Sequence, residues 1–507
     1  MKNLLKKLFT PKSSQTSNKV EDMSVTQLLL QMEKSVDFLR FTNQTNDGSR
    51  KVWINYYYTL VDTDFLHRDI LHRISTSPWS NLQELKNILP IEVVTISSDP
   101  KEIREKLLTG FIFVQIGEKD KKGLLVRSEF VQSRAVSLPE VEFSVIGPKE
   151  SFVENIDSNI NLIRRRLSSP MLTVEQKMLG TISRTRVGVM YIDGIVDKDN
   201  VQTVIQRLDE VEFDHINDSS YITQLISDNG NTLFPLLLDT ERPDRIVSAL
   251  TEGKVVIMVD GSPHGLIGPT TLVEFFSSFE DYYLSYWLSS FFRLIRLFGV
   301  AFSILVTPVY VAVLSYHYEL IPKDLLSTLI SSRREVPLPP ILEAIFLELT
   351  IELLREAGAR LPTKVGQTIG IVGGIVIGTA SVEAGLTSNV LLIIVALAAL
   401  ASFTTPVYKM GNTIRLLRFP FLLFAELWGL LGIVFCFCIL AAHLLRLTSL
   451  GRPYLEPIYP PRVKDMKDAL LRLPFSMQTE RPGQLRTNKP QRMAKIRKKP
   501  KKDIDEY

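Results

Sequence analysis

Cysteine is nearly absent from this chain. Cys436 and Cys438 are the only two in 507 residues, and both lie in the last apolar run. Residues two apart on a helix point to different sides, so neither a disulfide framework nor a cysteine metal cluster is expected. The six histidines, His67, His72, His215, His264, His317 and His443, are scattered without zinc-site spacing. The sequence has no Gly-Lys-Ser/Thr phosphate loop, no nucleophile elbow and no carboxylate pair of defensible geometry. These absences argue against an enzyme and against a cofactor. "DGSPHG" holds His264 near Asp260, but it reads as a turn after a strand. The opening "MKNLLKKLF" alternates lysine with leucine and builds no apolar core. No signal peptide is therefore expected, and the N-terminal region is predicted to be cytoplasmic.

Apolar residues are abundant but uneven. They make up 45% of the chain and crowd into 298–447, where "LLIIVALAALASF" approaches the length of a bilayer span. Everything before about Asp281 reads as soluble protein. The net charge is +4, with basic excess at both ends, "MKNLLKKLFTPK" and "KPQRMAKIRKKPKK". Such ends either contact anionic lipid or are solvated tails. No nucleic-acid partner is expected.

The predicted fold class is an α/β cytoplasmic region of two related subdomains followed by an α-helical multi-span membrane domain. Residues 1–50 are read as a disordered basic tail. The first α/β subdomain is placed at 51–140, and a coupling helix with the second subdomain at 141–280. The membrane domain is placed at 281–450, with four or five spans, and a basic cytoplasmic tail at 451–507. The two subdomains share a pattern. "VWINYYYTLVD" at Val52–Asp62 matches "VGVMYIDGIVD" at Val187–Asp197 in its first valine and final Val-Asp. Pro100, Ile103, Leu107 and Gly110 correspond to Pro243, Ile246, Leu250 and Gly253. Proline suits a first helical turn, and glycine the position past a helix end. An internal duplication of a small α/β unit is therefore predicted.

Between the copies lies "GPKESFVENIDSNINLIRRRL". Ser151 and Glu154 fit a capping box. Phe152, Ile156, Ile160, Ile163 and Leu167 make one apolar stripe. Arg164, Arg165 and Arg166 fall on the last turn, either complementing the macrodipole on a solvated face or making a charged contact with a neighbouring domain or subunit. Asn155, Asn159 and Asn161 could cap backbone in such a contact. Further on, Tyr282, Tyr283, Tyr286 and Trp287, with Arg293 and Arg296, read as a helix at the cytoplasmic surface leading into the first span.

Candidate spans are 298–316, 366–384, 387–407 and 419–445. The segment 339–362 is ambiguous. Glu348, Glu352 and Glu356 make one stripe and Glu343 points roughly the other way, so the segment is a surface helix or lines an ion route. Four spans put the basic Lys409–Arg418 loop outside, against the positive-inside rule, whereas five put the C-terminal tail outside. Both remain open. Gly366, Gly370, Gly374 and Gly378 are four apart and form a bare ridge for close helix packing, within the chain or between subunits, with a pore-lining or hinge role as the alternative.

Five segments, in order, resemble the A subunits of GerA-type spore germination receptors. They are "GPKESFVENIDSNINLIRRRL", "FPLLLDTERPDRIVSALTEGKVVIMVDGSP", "FEDYYLSYWLSSFFRLIR", "LREAGARLP" and "GQTIGIVGGIVIG". The resemblance covers roughly 55–450. It implies a multi-pass protein of the spore inner membrane, forming a nutrient-gated, ion-conducting homo-oligomer whose cation release triggers germination. It also implies a transporter-like B subunit and a lipoprotein C subunit as partners. Arg164–Arg166 and Asn159 become candidates for subunit coupling. The glycine ridge, Glu348 and Glu352 become candidates for packing and pore. Two alternatives are an accessory paralogue that supports ion release without its own nutrient, and a secondary transporter.

Overall fold

Two five-stranded antiparallel sheets carry the first half of the chain, and both are wired in the same order. The computed structural model describes residues 23–492, apart from 47, 49, 90, 92, 130–138, 140–141 and 143–145. The first sheet contains β1 (Phe38–Gln44), β2 (Lys51–Tyr57), β3 (Val94–Ser97), β4 (Phe111–Gln115) and β5 (Gly123–Arg127), in the order β1-β2-β4-β5-β3. The second contains β6 (Leu172–Leu179), β7 (Thr185–Ile192), β8 (Leu238–Thr240), β9 (Val255–Val259) and β10 (Gly265–Gly268), in the order β6-β7-β9-β10-β8.

Helices α1 (Val25–Met32) and α2 (Pro100–Leu107) belong to the first unit. Helices α3 (Ile156–Arg166), α4 (Lys198–Asp209), α5 (Ser219–Ile226) and α6 (Pro243–Glu252) belong to the second. The matched prolines open α2 and α6. The matched glycines, Gly110 at φ +85° and Gly253 at φ +98°, follow them in the left-handed region that glycine enters without a Cβ penalty. Asp62 and Asp197, which end the matched strand motifs, each cap the helix that follows.

The structure corrects four boundaries. Residues 25–44 are not a tail. Ser24 and Gln27 form a capping box for α1, whose Val25, Leu28, Leu29 and Met32 are buried, and β1 pairs with β2 along its full length. The first 22 residues lie outside the described ones. The linking helix begins at Ile156 rather than Ser151. Asn155 is its cap, accepting from Ser158 N, while Phe152 is held in extended chain by its N–H bond to Glu241 O. The 451–507 segment is not a solvated tail up to Arg492. Tyr454 and Leu485 are fully buried, Arg452 pairs with Asp197 and Asn488 N donates to Ile195 O. This segment, with the short helix 463–469, straps the second unit. Residues from 493 lie outside the described ones. Finally, the helix read from Tyr282 onward starts later: Tyr282 ends a short 3-10 turn, Phe279–Tyr282, and the α-helix begins at Tyr286. Tyr286–Tyr316 is one continuous helix.

Past Tyr286 the fold is helical, with α7 (Tyr286–Tyr316), α8 (Lys323–Arg333), α9 (Pro340–Arg360), α10 (Thr363–Glu383), α11 (Asn389–Ser402) and α12 (Tyr408–Arg446). Among the described residues, α7 and α12 are long and apolar enough to cross a membrane, and α11 is apolar but shorter. Residues 409–418 are helical, not a loop. The apolar run expected as one span at 419–445 is broken at Trp428 and Gly429, where φ is −138° and +58°. Helix α12 is thus a hairpin of two arms. Its first arm starts beside the second α/β unit, where Lys409 pairs with Asp239 at 3.1 Å. Its second arm returns there, with His443 Nε2 3.0 Å from Thr232 Oγ1. The tip meets the far end of α7, where Tyr316 OH donates to Glu426 O. The core of the second unit runs without interruption into the hairpin's base, so that Met410, Ile414 and Leu447 pack with Phe234, Leu250 and Tyr454.

Candidate functional site

Three clusters hold the residues singled out by sequence. The first joins the two α/β units. Arg164 is fully buried, with Asp37 equally inaccessible beside it. Its Nη2 donates to Asp37 Oδ1 at 2.6 Å and to Ser35 Oγ at 2.8 Å, and its guanidinium lies 4.1 Å from the centre of the Tyr57 ring. Burial pushes the Tyr57 hydroxyl well above its ordinary range, and Arg164 offsets this only in part. Backbone completes the joint: Val36 N donates to Val174 O at 3.0 Å. Asn161 Nδ2 reaches Thr59 O across it, and Tyr58 OH donates to Asp157 at 3.2 Å.

The other residues of that stretch act differently. Arg165 is exposed, and Arg166 pairs with Glu150 on its own unit. Asn159 bonds both the N–H and the C=O of Val153, which fixes the lead-in to α3. Its neighbour Asn161 makes the crossing.

The second cluster lies inside the helices. Glu348 on α9 is buried, accepts from Thr307 Oγ1 of α7 at 3.1 Å and forms an ion pair with Arg418 of the first hairpin arm. Arg418 also donates to Ser303 O at 2.9 Å, Ser303 Oγ at 2.8 Å and Ala398 O at 3.4 Å. One pair thereby ties together α7, α9, α11 and α12. Glu343, which the stripe left out, is fully buried at the far end, where Arg333 of α8 pairs with it and Ser388 N donates to it. Glu352 is half-buried between Arg355 and Arg415, and Glu356 lies on the surface with Arg360. Arg418 carried no signal as a partner because it lies 70 residues from Glu348, and Arg333 because it lies on a different helix, α8, from Glu343.

The third cluster is the glycine ridge of α10. Its ends have neighbours in the chain: a Cβ on Gly366 would meet Gly358 O at 2.7 Å, and one on Gly378 would meet Leu392 at 3.8 Å. Gly370 and Gly374 have nothing within 4 Å. Among the described residues, a Cβ at the middle of the ridge meets no neighbour.

A cleft of about 730 Å³ separates α6 from the C-terminal strap. Its charges are already matched within the chain, Lys254 with Glu274 and Glu252 with Arg492.

A family profile described as Bacillus/Clostridium GerA spore germination protein matches residues 26–484, beyond the 55–450 that the motifs alone marked. "Spore germination protein GerQA" of Bacillus cereus is 50% identical over 467 residues, covering 92% of this chain and 93% of that one. "Spore germination protein GerIA" of Bacillus cereus is 48% identical over 484 residues, covering 95% of this chain and 72% of that one. Among solved structures, the N-terminal domain of the A subunit of the Bacillus megaterium spore germinant receptor GerK3 is 28% identical with a TM-score of 0.36, and the match covers 48% of this chain and 92% of that one.

Proposed function

The chain belongs to the Bacillus/Clostridium GerA spore germination protein family as an A subunit of its germinant receptors, and from that premise we propose that copies of it assemble into a nutrient-gated ion path in the spore inner membrane. The observation that carries this reading is the bare middle of α10. Small residues let helices approach backbone to backbone in lipid, and Gly370 and Gly374 have open space beside them. A helix of another copy completes that face. The charged groups Glu348, Arg418, Glu352 and Arg415 lie inside the same bundle, as polar groups on an ion route do.

On this reading the chain crosses six times, by α7, α9, α10, α11 and the two arms of α12. The arms, 408–427 and 430–446, are about 30 Å and 25 Å long at 1.5 Å per residue. An even number returns the C-terminal strap to the side of the α/β units, and the basic start of the hairpin lies on that side, as the positive-inside rule asks. A transporter-like B subunit and a lipoprotein C subunit complete the receptor, and the basic ends meet anionic lipid.

The test is potassium release from spores in which this chain and its B and C partners are the only receptor, challenged with amino acids and sugars. Prompt release with one nutrient, lost in Gly374→Leu while the protein is still made, supports the reading. Release that is unchanged in Gly374→Leu removes it. Release that is merely slowed beside another receptor marks an accessory paralogue instead.

A further inference from the structure

One segment of the second α/β unit, the loop from 228 that runs into β8 at Asp239, touches both arms of the hairpin. At its start, the Asp228 carboxylate accepts from Leu450 N at 2.8 Å and from Gly451 N at 2.8 Å. Thr448 Oγ1 and Arg207 of α4 also donate to it. Three of these four donors belong to the turn that leaves the second arm. At its end, Asp239 pairs with Lys409, where the first arm begins. Between these points Thr232 Oγ1 meets His443 of the second arm at 3.0 Å, and Leu233 O accepts from Thr413 of the first. Leu236 O accepts from Ser449 Oγ at 2.6 Å. Phe234 is buried in the core shared with Met410 and Tyr454.

We propose that this loop is the transmission element of the receptor, with Asp228 gripping the exit of the hairpin and Asp239 its entry. The proposal rests on the reading of the helices as an ion path and adds where the soluble half acts on it. The grip at both ends has a mechanical consequence. A shift of the second unit carried by the loop moves the two arms together as one body. Such a shift would act on Arg418 of the first arm, and through it on Glu348. Hinges and packed interfaces switch between discrete arrangements, not by continuous bending. A loop that holds two arms by directional bonds is suited to select between such arrangements.

Asp239 and Lys409 are both partly accessible, so their charges can be exchanged without burying an unpaired ion. The test compares Asp239→Lys, Lys409→Asp and the double exchange in spores where this chain is the A subunit of the only receptor. The readouts are the amount of the chain in the membrane and the nutrient concentration giving half-maximal potassium release. Transmission predicts an unchanged amount, a shift of about two- to fivefold in that concentration for each single variant, the size expected for one exposed ion pair, and return toward the parent value in the double. Equal responses in all four proteins overturn the proposal.

A second measurement does not depend on conduction. Amide hydrogen exchange of the full chain in detergent should rise in Asp228→Asn at both arms, around Thr413 as well as around Leu450. Exchange that rises only at Leu450–Gly451 overturns the proposal. If the parent receptor releases no potassium, the ion-path reading fails, and the exchange result still decides the loop.

Discussion

Arg164 and Asp37, 127 residues apart in sequence, form an ion pair with side chains 0% and 1% exposed at the seam between the two α/β units. A charge removed from water this completely is tolerated because the Nε and Nη2 sides of the guanidinium and both carboxylate oxygens are satisfied at once, although Nη1 has no partner among the described residues. Asp37 accepts from Arg164, Ser35 and Thr59, while Arg164 also reaches Leu172 O. Breaking one partner leaves the other charged and unpaired.

Arg164→Gln should therefore destabilise the full chain by about 3–5 kcal/mol, read as a lowered midpoint of thermal or urea unfolding. Arg165→Gln, on an exposed side chain, should stay within about 0.5 kcal/mol of the parent. A triple arginine variant should be no worse than Arg164→Gln alone. Equal losses from Arg164 and Arg165 would contradict this assignment.

The pair between Glu348 and Arg418 predicts strong coupling. Glu348→Gln and Arg418→Leu should each deplete the protein from the membrane, since each strands a buried partner. Joint replacement by Glu348→Leu and Arg418→Met should restore the amount without restoring potassium release. A double variant that conducts normally would show that the charges have no part in the ion path.

Glycine substitutions separate contacts inside the chain from contacts outside it. A Cβ on Gly253 would lie 2.5 Å from Thr487 Cγ2, at φ +98°, so Gly253→Ala should loosen the C-terminal strap and speed proteolysis there. A Cβ on Gly374 meets nothing within 4 Å. Gly374→Ala should leave the isolated chain as stable as before or up to about 1 kcal/mol more so. Any loss of assembly in that variant, seen by cross-linking in membranes, then reports a neighbour.

Asp228 gives a pH dependence. Burial alone would raise its pKa, but Arg207, Thr448 and Gly451 outweigh it and hold the carboxyl below its ordinary 3.8. A depressed folded-state pKa contributes stability in full above the unfolded value and loses it as pH falls through the folded one. Acidification below 3.8 should thus release the exit of the hairpin, measured as faster hydrogen exchange at Leu450 and Gly451. Asp228→Asn should lack this acid step.

The duplication was legible because proline starts and glycine stops are local signals, and the structure places them at the ends of α2 and α6. The strand β1 was not legible. "FLRFTNQ" is a polar edge sequence whose identity comes from pairing with β2. The hairpin was hidden for a related reason. "LWGLLG" keeps hydropathy high across the turn, and only the backbone at Gly429 reveals the reversal. Hydropathy thus gave one span where the backbone has two arms; the choice between four and five crossings turned instead on the glutamate-bearing segment 339–362. Arg164 stood out by its neighbours, yet only one of the three arginines points inward. Helical phase alone did not say which, because its partner Asp37 lay in a segment read as a tail.

The most direct measurement is nutrient-triggered potassium release from spores whose only receptor contains this chain, compared between the parent and Gly374→Leu at equal amounts of protein. The account predicts prompt release in the parent and none in the variant, together with loss of cross-linked multimers. Normal release from a Gly374→Leu receptor would contradict it.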